Sequence, residues 1–374
     1  MHDSIPVYQR LGVRPVVNAR GMNTMASGSL MPKPVLEAMA EAAGAFVDMA
    51  ELNARAGEHI ARLVGVEAAH VTSGSAAGLL LAAAACLAGT DPERIERLPD
   101  TTGMRNELVI QRCGRIHYDQ ALRTAGARLV EVGDAERCTE RQVEAAIGPR
   151  TAALVFIVSP RLGEGGVPAA RMAALAHAHG LPLVVDAAST LPPVGHLTRW
   201  TALGADLAIY SGGKGIRGPQ NTGLLLGRAD LIRAAAANAA PNSAVGRPCK
   251  VSKEAIVGLV TALELFLQED HRAEWERHLG EARQIAGAVA GLPGVRARIE
   301  DDWAEWTAPT VLVALDERAT GWTATGLMDA LRTGEPPIMV RVFRGDLLVD
   351  PHCLRGDEAA VVARRLLEEL TSRP

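Results

Sequence analysis

The sequence predicts an α/β fold: a mostly parallel sheet covered by helices on both faces, followed by a smaller α+β unit. Three observations carry the prediction. From about residue 68 to residue 227, short apolar runs alternate with helical segments, several of them closed by a glycine. Those runs are apolar at nearly every position rather than at alternate ones, as strands buried on both faces require. Near residue 250 the rhythm gives way to a long stretch of helical apolar spacing, and then to several short strands with flanking helices.

In chain order, residues 1–35 read as irregular, with Pro6, Pro15, Pro32 and Pro34 and the run NARGMNTMASGS. Helices are expected from Pro34 to about Met49 and from about Asn53 to Val64. AAHVTSGSAAGLLLAAAACLAG reads as a strand, a tight SGS turn and a small-residue helix ending at Gly89. Then ELVIQ is a strand and YDQALRTAG a helix, ARLVEVG a strand and TERQVEAAIG a helix. TAALVFIVS is a strand, VPAARMAALAHAHG a helix and LPLVVDAA a strand. ADLAIYSG and NTGLLLG are two more strands, joined by the loop GGKGIRGPQ. The helical stretch after residue 250 is expected to break near Glu269 to His271. VRARIE, TVLVALD, TATGLMDALRTG, IMVRVF, DLLVD and DEAAVVARRLLEEL make up the smaller unit.

Composition narrows the function classes. A chain of 374 residues suits about two domains. With 48% apolar and 22% charged residues it is neither disordered nor a coiled-coil rod. The net charge of −4 and the lack of a basic stripe speak against a nucleic-acid partner. No apolar run is long enough to span a bilayer, so no membrane partner is expected. The N-terminus has no apolar signal region, and five scattered cysteines without a CxxC pair fit a reducing, cytoplasmic setting and no metal site. Of the 39 basic residues only four are lysines, at 33, 214, 250 and 253. Few amines are therefore available for covalent chemistry.

Two residues stand out. Asp186 ends the apolar strand LPLVV, and Lys214 follows the strand ADLAIY. Ligands of open α/β sheets bind outside the carboxyl ends of strands, which is where both fall. An Asp there can hold a protonated ring nitrogen and a Lys can form a Schiff base. Those are the two demands of pyridoxal 5′-phosphate (PLP). Thr72-Ser73-Gly74-Ser75 opens the Ala-rich helix, whose free N–H groups and dipole suit a phosphate. Ser73, Gly74 and Ser75 are its candidate cup, and Ser211 its candidate neighbour. A strand-end Asp that merely caps, a Lys in an exposed turn and a serine that caps its own helix are the structural alternatives. There is no Walker A lysine and no GxGxxG after the first strand, so nucleotide sites have little support.

These pieces, with VVNARGMNTMASGS, FVDMAELNARAGEHIARLVGVEAAHVTSGSAAGL, DLAIYSGGKGIRGPQNTGLLLGR and GEPPIMVRVF, resemble the selenocysteine synthase-like branch of the fold type I PLP enzymes. More narrowly, the sequence is similar to the D-glucosaminate-6-phosphate ammonia-lyase group. The resemblance runs from about residue 16 to 355. It implies an N-terminal irregular segment near the active site (1–35), a large PLP-binding domain (36–265) and a small C-terminal α+β domain (266–374). It also implies a homodimer or higher homo-oligomer. Lys214 becomes the Schiff-base lysine, Asp186 the partner of the ring nitrogen, and Ser73, Gly74, Ser75 and Ser211 the phosphate seat. Arg341 on IMVRVF is the candidate for the substrate carboxylate, which a guanidinium matches bidentately. Selenocysteine synthases carry an additional N-terminal tRNA domain. This sequence starts almost at the core, so their activity is not expected here.

One stretch departs from the pattern. Where the lyase-like group is expected to place a ring-stacking His, this chain has Arg112-Cys113-Gly114-Arg115-Ile116-His117, with Gly114 at the His position. Either the loop brings His117 over the ring, or Cys113 packs there, or the face is more open.

The implied activity is a PLP-dependent lyase acting on a small amino acid or amino-sugar acid. It would eliminate across the α,β-bond of a β-hydroxy substrate to give a 2-oxo acid and ammonia. Lys214 would be the base, and Asp48, Glu51, His117 and Tyr210 are candidates for the acid. Aldolase, racemase and aminotransferase outcomes use the same parts, and a catalytically silent scaffold is the alternative of another class. Arg20, Arg112, Arg115, Arg161 and Arg217 could supply a second anion site.

Overall fold

The structure, a computed structural model, describes residues 5–159, 165–302 and 307–372. It forms two compact units, one of residues 31–269 and one of residues 1–30 with 270–374.

The larger unit is built on seven strands: β1 (Ala68–Thr72), β2 (Glu107–Gln111), β3 (Arg128–Val132), β4 (Thr151–Ile157), β5 (Leu183–Asp186), β6 (Leu207–Ser211) and β7 (Gly223–Gly227). Their order across the sheet is β1-β7-β6-β5-β4-β2-β3. The pairs β2–β3, β2–β4, β4–β5 and β5–β6 are parallel, and β7 runs antiparallel to both its neighbours. Every residue of β4 is buried, and its side chains go to opposite faces. Leu154 joins one core with Ile60, Met172 and Leu259, while Ala153 and Val155 join another with Leu80 and Leu108. Helices therefore cover the sheet on both sides, as the unbroken apolar runs predict. Each such Leu or Val contributes about 1.5–3 kcal/mol by leaving water.

Two helices frame the site. α1 (Met49–Val64) precedes β1, and α2 (Gly74–Ala88) follows it; α2 is buried from Ala77 to Ala85. α3 (Ala229–Ala237) and α4 (Lys253–Gln268) follow β7. The helical stretch breaks where expected: α4 ends at Gln268, and Asp270 caps α5 (His271–Val289) by accepting from the N–H groups of Arg272 and Ala273. The helix expected over Pro34–Met49 is shorter, spanning Lys33–Ala43. Asp48 is then the N-cap of α1, its carboxylate accepting from the N–H groups of Ala50 and Glu51. Asp48 and Glu51 thus open a helix instead of closing one.

In the smaller unit, β8 (Val295–Glu300), β9 (Thr310–Leu315), β10 (Arg341–Phe343) and β11 (Asp346–Val349) form an antiparallel sheet in the order β10-β11-β9-β8. α5, α6 (Ala324–Thr333) and α7 (Glu358–Thr371) supply Ile285, Leu327 and Val362 to its core. The run IMVRVF is split. Ile338–Met339 pairs in parallel with Val17–Asn18, and β10 pairs with β11. No described helix is long and apolar enough to cross a membrane.

Candidate active site

The parallel register brings strand ends together. Asp186 is the last residue of β5 and lies beside Ile209 of β6. Ser211, the last residue of β6, lies opposite Gly223, which lies opposite Thr72 at the end of β1. Ser211 and Thr72 are thus two strands apart on one sheet edge, about 10 Å at the usual strand spacing. Ser73 follows Thr72 directly.

The SGS turn has the build of an anion seat. Ser73 is the N-cap of α2 but makes no side-chain capping bond, so its hydroxyl and the first-turn N–H groups remain open to a ligand. Thr72 donates its hydroxyl to the Gly74 carbonyl, at 2.9 Å. Gly74 sits at φ +79°, where a side chain would be strained. Gly223 supports the turn from behind: a Cβ there would lie 2.7 Å from the Gly74 carbonyl carbon and 2.9 Å from the Ser75 nitrogen. Replacing Gly223 with Ala therefore displaces the turn. Isothermal titration of Gly223→Ala with PLP is expected to give a Kd raised about tenfold, the equivalent of roughly 1.4 kcal/mol.

Asp186 is 4% exposed. Its Oδ1 accepts from the Ala188 N–H at 3.1 Å. Burial pushes its pKa up, and the Ala188 N–H and the charge of Lys214 pull it back. Lys214 shows the mirror effect: burial lowers its pKa and Asp186 raises it. The Lys214 amine donates to the Ser189 hydroxyl at 2.5 Å. Ser189 has the plainest tie to Lys214 and is absent from the candidates read from sequence. The only signal for it is its place three residues after Asp186 in VVDAAS.

The remaining candidates separate. Tyr210 is fully buried, and its hydroxyl donates to the carbonyls of His196 and Leu197 at 2.8 and 3.1 Å. Burial drives its pKa upward, so it is a core hydrogen-bond donor and not an acid for substrate. Tyr210→Phe is expected to lower the unfolding free energy by about 1–3 kcal/mol in a urea titration, since the buried Leu197 carbonyl and the part-buried His196 carbonyl lose this donor, with kcat within about twofold of wild type. Cys113 packs in the core with Val109, Val132 and Cys138, and burial raises its thiol pKa. His117 begins a short 3-10 turn after β2 and is exposed.

Among the arginines, Arg115 is held by Asp119 at 2.6 and 2.9 Å and by Glu131 at 2.5 Å. Arg217 pairs with Glu269, and Arg20 donates to the Val340 carbonyl at 3.0 Å. Arg161 lies outside the described residues. In the smaller unit, Arg341 is half-buried, its Nε is buried without a hydrogen-bond partner, and its charge acts on the buried carboxyl of Asp350. A separate cavity of about 460 Å³ between α1 and α3 has alanines for half of its lining and contains none of these residues.

A buried carboxylate at one strand end and a half-buried lysine just past the next, beside an open helix N-terminus on the same sheet edge, fit PLP and define a fold type I PLP-dependent enzyme. The family model for L-seryl-tRNA selenium transferase (SelA) matches residues 48–279. The chain belongs to this selenocysteine synthase family. The 5′-C-glycyluridine monooxygenase-decarboxylase of a Streptomyces species is 38% identical, over 97% of this chain and 92% of that protein. The D-glucosaminate-6-phosphate ammonia lyase of Salmonella typhimurium is 34% identical, over 97% of each. A solved structure of a D-glucosaminate-6-phosphate ammonia-lyase superposes with a TM-score of 0.83 at 33% identity, covering 99% of both chains. The relation to the ammonia-lyase group expected from the sequence is borne out.

Proposed function

We propose that this protein is a PLP-dependent lyase that removes ammonia from a small β-hydroxy amino acid or amino-sugar acid, leaving a 2-oxo acid. The observation that carries this reading is the electrostatic pairing of buried Asp186 with half-buried Lys214 beyond adjoining strands, in a chain 34% identical to an ammonia lyase along its length. When bound, PLP supplies an electron sink at the substrate α-carbon.

The chain supplies the rest. Lys214 would hold the cofactor aldehyde and would be the base that takes the proton from the substrate α-carbon. Asp186 holds a proton at the ring nitrogen. Ser73, Gly74 and Ser75 seat the phosphate with Ser211 beside them. Arg341 grips the substrate carboxylate. With Tyr210 and Asp48 committed to backbone groups, His117 is assigned the proton delivered to the departing hydroxyl, a task imidazole performs most often. The protein acts in the cytoplasm as a homodimer or larger homo-oligomer.

The test is a visible absorbance spectrum of protein incubated with PLP and then dialysed, followed by assays for ammonia and 2-oxo acid over a panel of β-hydroxy amino acids and amino-sugar acids. A retained band with oxo-acid release is expected. Loss of the band on dialysis would leave only the silent-scaffold reading. The 38% identity to a monooxygenase-decarboxylase favours one second reading, oxidative decarboxylation of an α-amino acid carried on a nucleoside. Oxygen uptake with carbon dioxide release, and no ammonia from the hydroxy substrates, would replace the lyase reading with it.

A further inference from the structure

We propose that Ser189 is a positioning residue for Lys214: its hydroxyl receives the lysine amine whenever that amine is not bonded to the cofactor, and it stabilises the ammonium formed when the lysine takes a proton. The role in proton transfer rests on the PLP reading above; the contact itself does not.

The geometry is fixed from both sides. Ser189 lies in the turn after β5. There Asp186 Oδ1 accepts from the Ala188 N–H, and the Ala187 N–H donates to the Ile209 carbonyl at 2.9 Å. Thr190 donates both its N–H and its hydroxyl to the Ala187 carbonyl, at 3.2 and 3.0 Å. Lys214 sits between two glycines that admit close backbone approach. A Cβ on Gly215 would lie 2.4 Å from the Leu191 carbonyl oxygen, and one on Gly213 would lie 2.4 Å from the Gln220 Cα. The loop after β5 and the loop carrying Lys214 are thus pressed together at Leu191 and Gly215, which puts the Ser189 hydroxyl within reach of the Lys214 amine, at 2.5 Å.

The direction of the effect follows from hydrogen-bond chemistry. A hydroxyl oxygen accepting from an ammonium makes a bond roughly twice as strong as one accepting from a neutral amine. Ser189 therefore favours protonated Lys214 and makes the free amine a stronger base. Burial acts the other way, and Asp186 is the charged group that acts on Lys214. The serine restores part of the proton affinity that burial removes.

The test uses apo protein, so it does not depend on cofactor loading. Wild type, Ser189→Ala and Ser189→Thr are labelled with trace acetic anhydride from pH 6 to 10, and each lysine is quantified by mass spectrometry. Lys33, whose side chain is 86% exposed, and exposed Lys250 serve as references. In Ser189→Ala the labelling midpoint of Lys214 is expected to fall by about half to one pH unit, so that labelling below the wild-type midpoint is about three- to tenfold faster. Ser189→Thr keeps the hydroxyl and is expected to restore the wild-type midpoint, with the reference lysines unchanged throughout. An unchanged or raised midpoint in Ser189→Ala overturns the proposal. Because Ser189 is exposed, neither substitution opens a gap in the core. The wild-type spectrum with PLP reports separately on the cofactor reading.

Discussion

Lys214→Ala is expected to lose both the visible band that wild type retains after dialysis with PLP and at least about 10²–10⁴ in kcat, the share usually supplied by a positioned general base. The loss is expected to be severe because the chain has only three other lysines. Lys253 is tied to the Ala42 carbonyl at 2.6 Å and to Glu254 at 2.5 Å, while Lys33 lies against Glu37 on a surface helix. Lys214→Arg is expected to be as inactive as the alanine variant, since a guanidinium neither forms the bond to the aldehyde nor gives up its proton. Added methylamine should recover part of the alanine variant's rate, because a small neutral amine can enter the space the side chain left. Stopped-flow absorbance and a coupled ammonia assay check both arms. A Lys214→Ala protein that keeps the band and turns over substrate would show that the cofactor is held elsewhere.

The strand-end residues were legible because their signal is local. An apolar run names the strand, and the first polar residue after it marks the end: Asp186 after LVV, Ser211 after LAIY. The SGS turn was legible for the same reason. Strand direction was not. GLLLG of β7 is buried at every position, like the mutually parallel strands β4, β5 and β6, and nothing in such a run says that it runs antiparallel to β6. The apolar spacing of the helix over Lys33–Ala43 carries on past its end and so draws Asp48 into it, although Asp-x-x-Glu before an apolar run is itself a start signal.

Ser189 shows the limit of reading along the chain. Its importance lies in a contact with a residue 25 positions away, set by the close packing of Leu191 against Gly215. The four acid candidates illustrate the converse. From sequence they differ little. Once their bonds are known, Tyr210 and Asp48 are occupied by backbone groups, whereas His117 and Glu51 are exposed.

Asp186→Asn is expected to lose activity and gain apo stability at the same time, and the two effects have one cause. An amide cannot hold a proton at a ring nitrogen against loss to solvent, so kcat should fall by about 10²–10³, as when one preorganised electrostatic group is removed. In the apo protein the same carboxyl is a burden. Its pKa in the fold lies above the unfolded value of about 3.9, because burial outweighs the help from Ala188 and Lys214. A group raised in this way binds its proton more tightly when folded. The stability it contributes is complete below pH of about 3.9 and is lost as pH rises through the folded value, beyond which a buried carboxylate must be carried. Apo Asp186→Asn should therefore melt above apo wild type at pH 8, and the gap should close as the pH falls toward 4. Loading wild type with PLP should reverse the order at pH 8, since the ring then gives the carboxylate its partner. Differential scanning fluorimetry of both proteins, with and without PLP, reads all four states. A variant that melts below wild type in every one of them would mean that Asp186 holds the fold together rather than the cofactor.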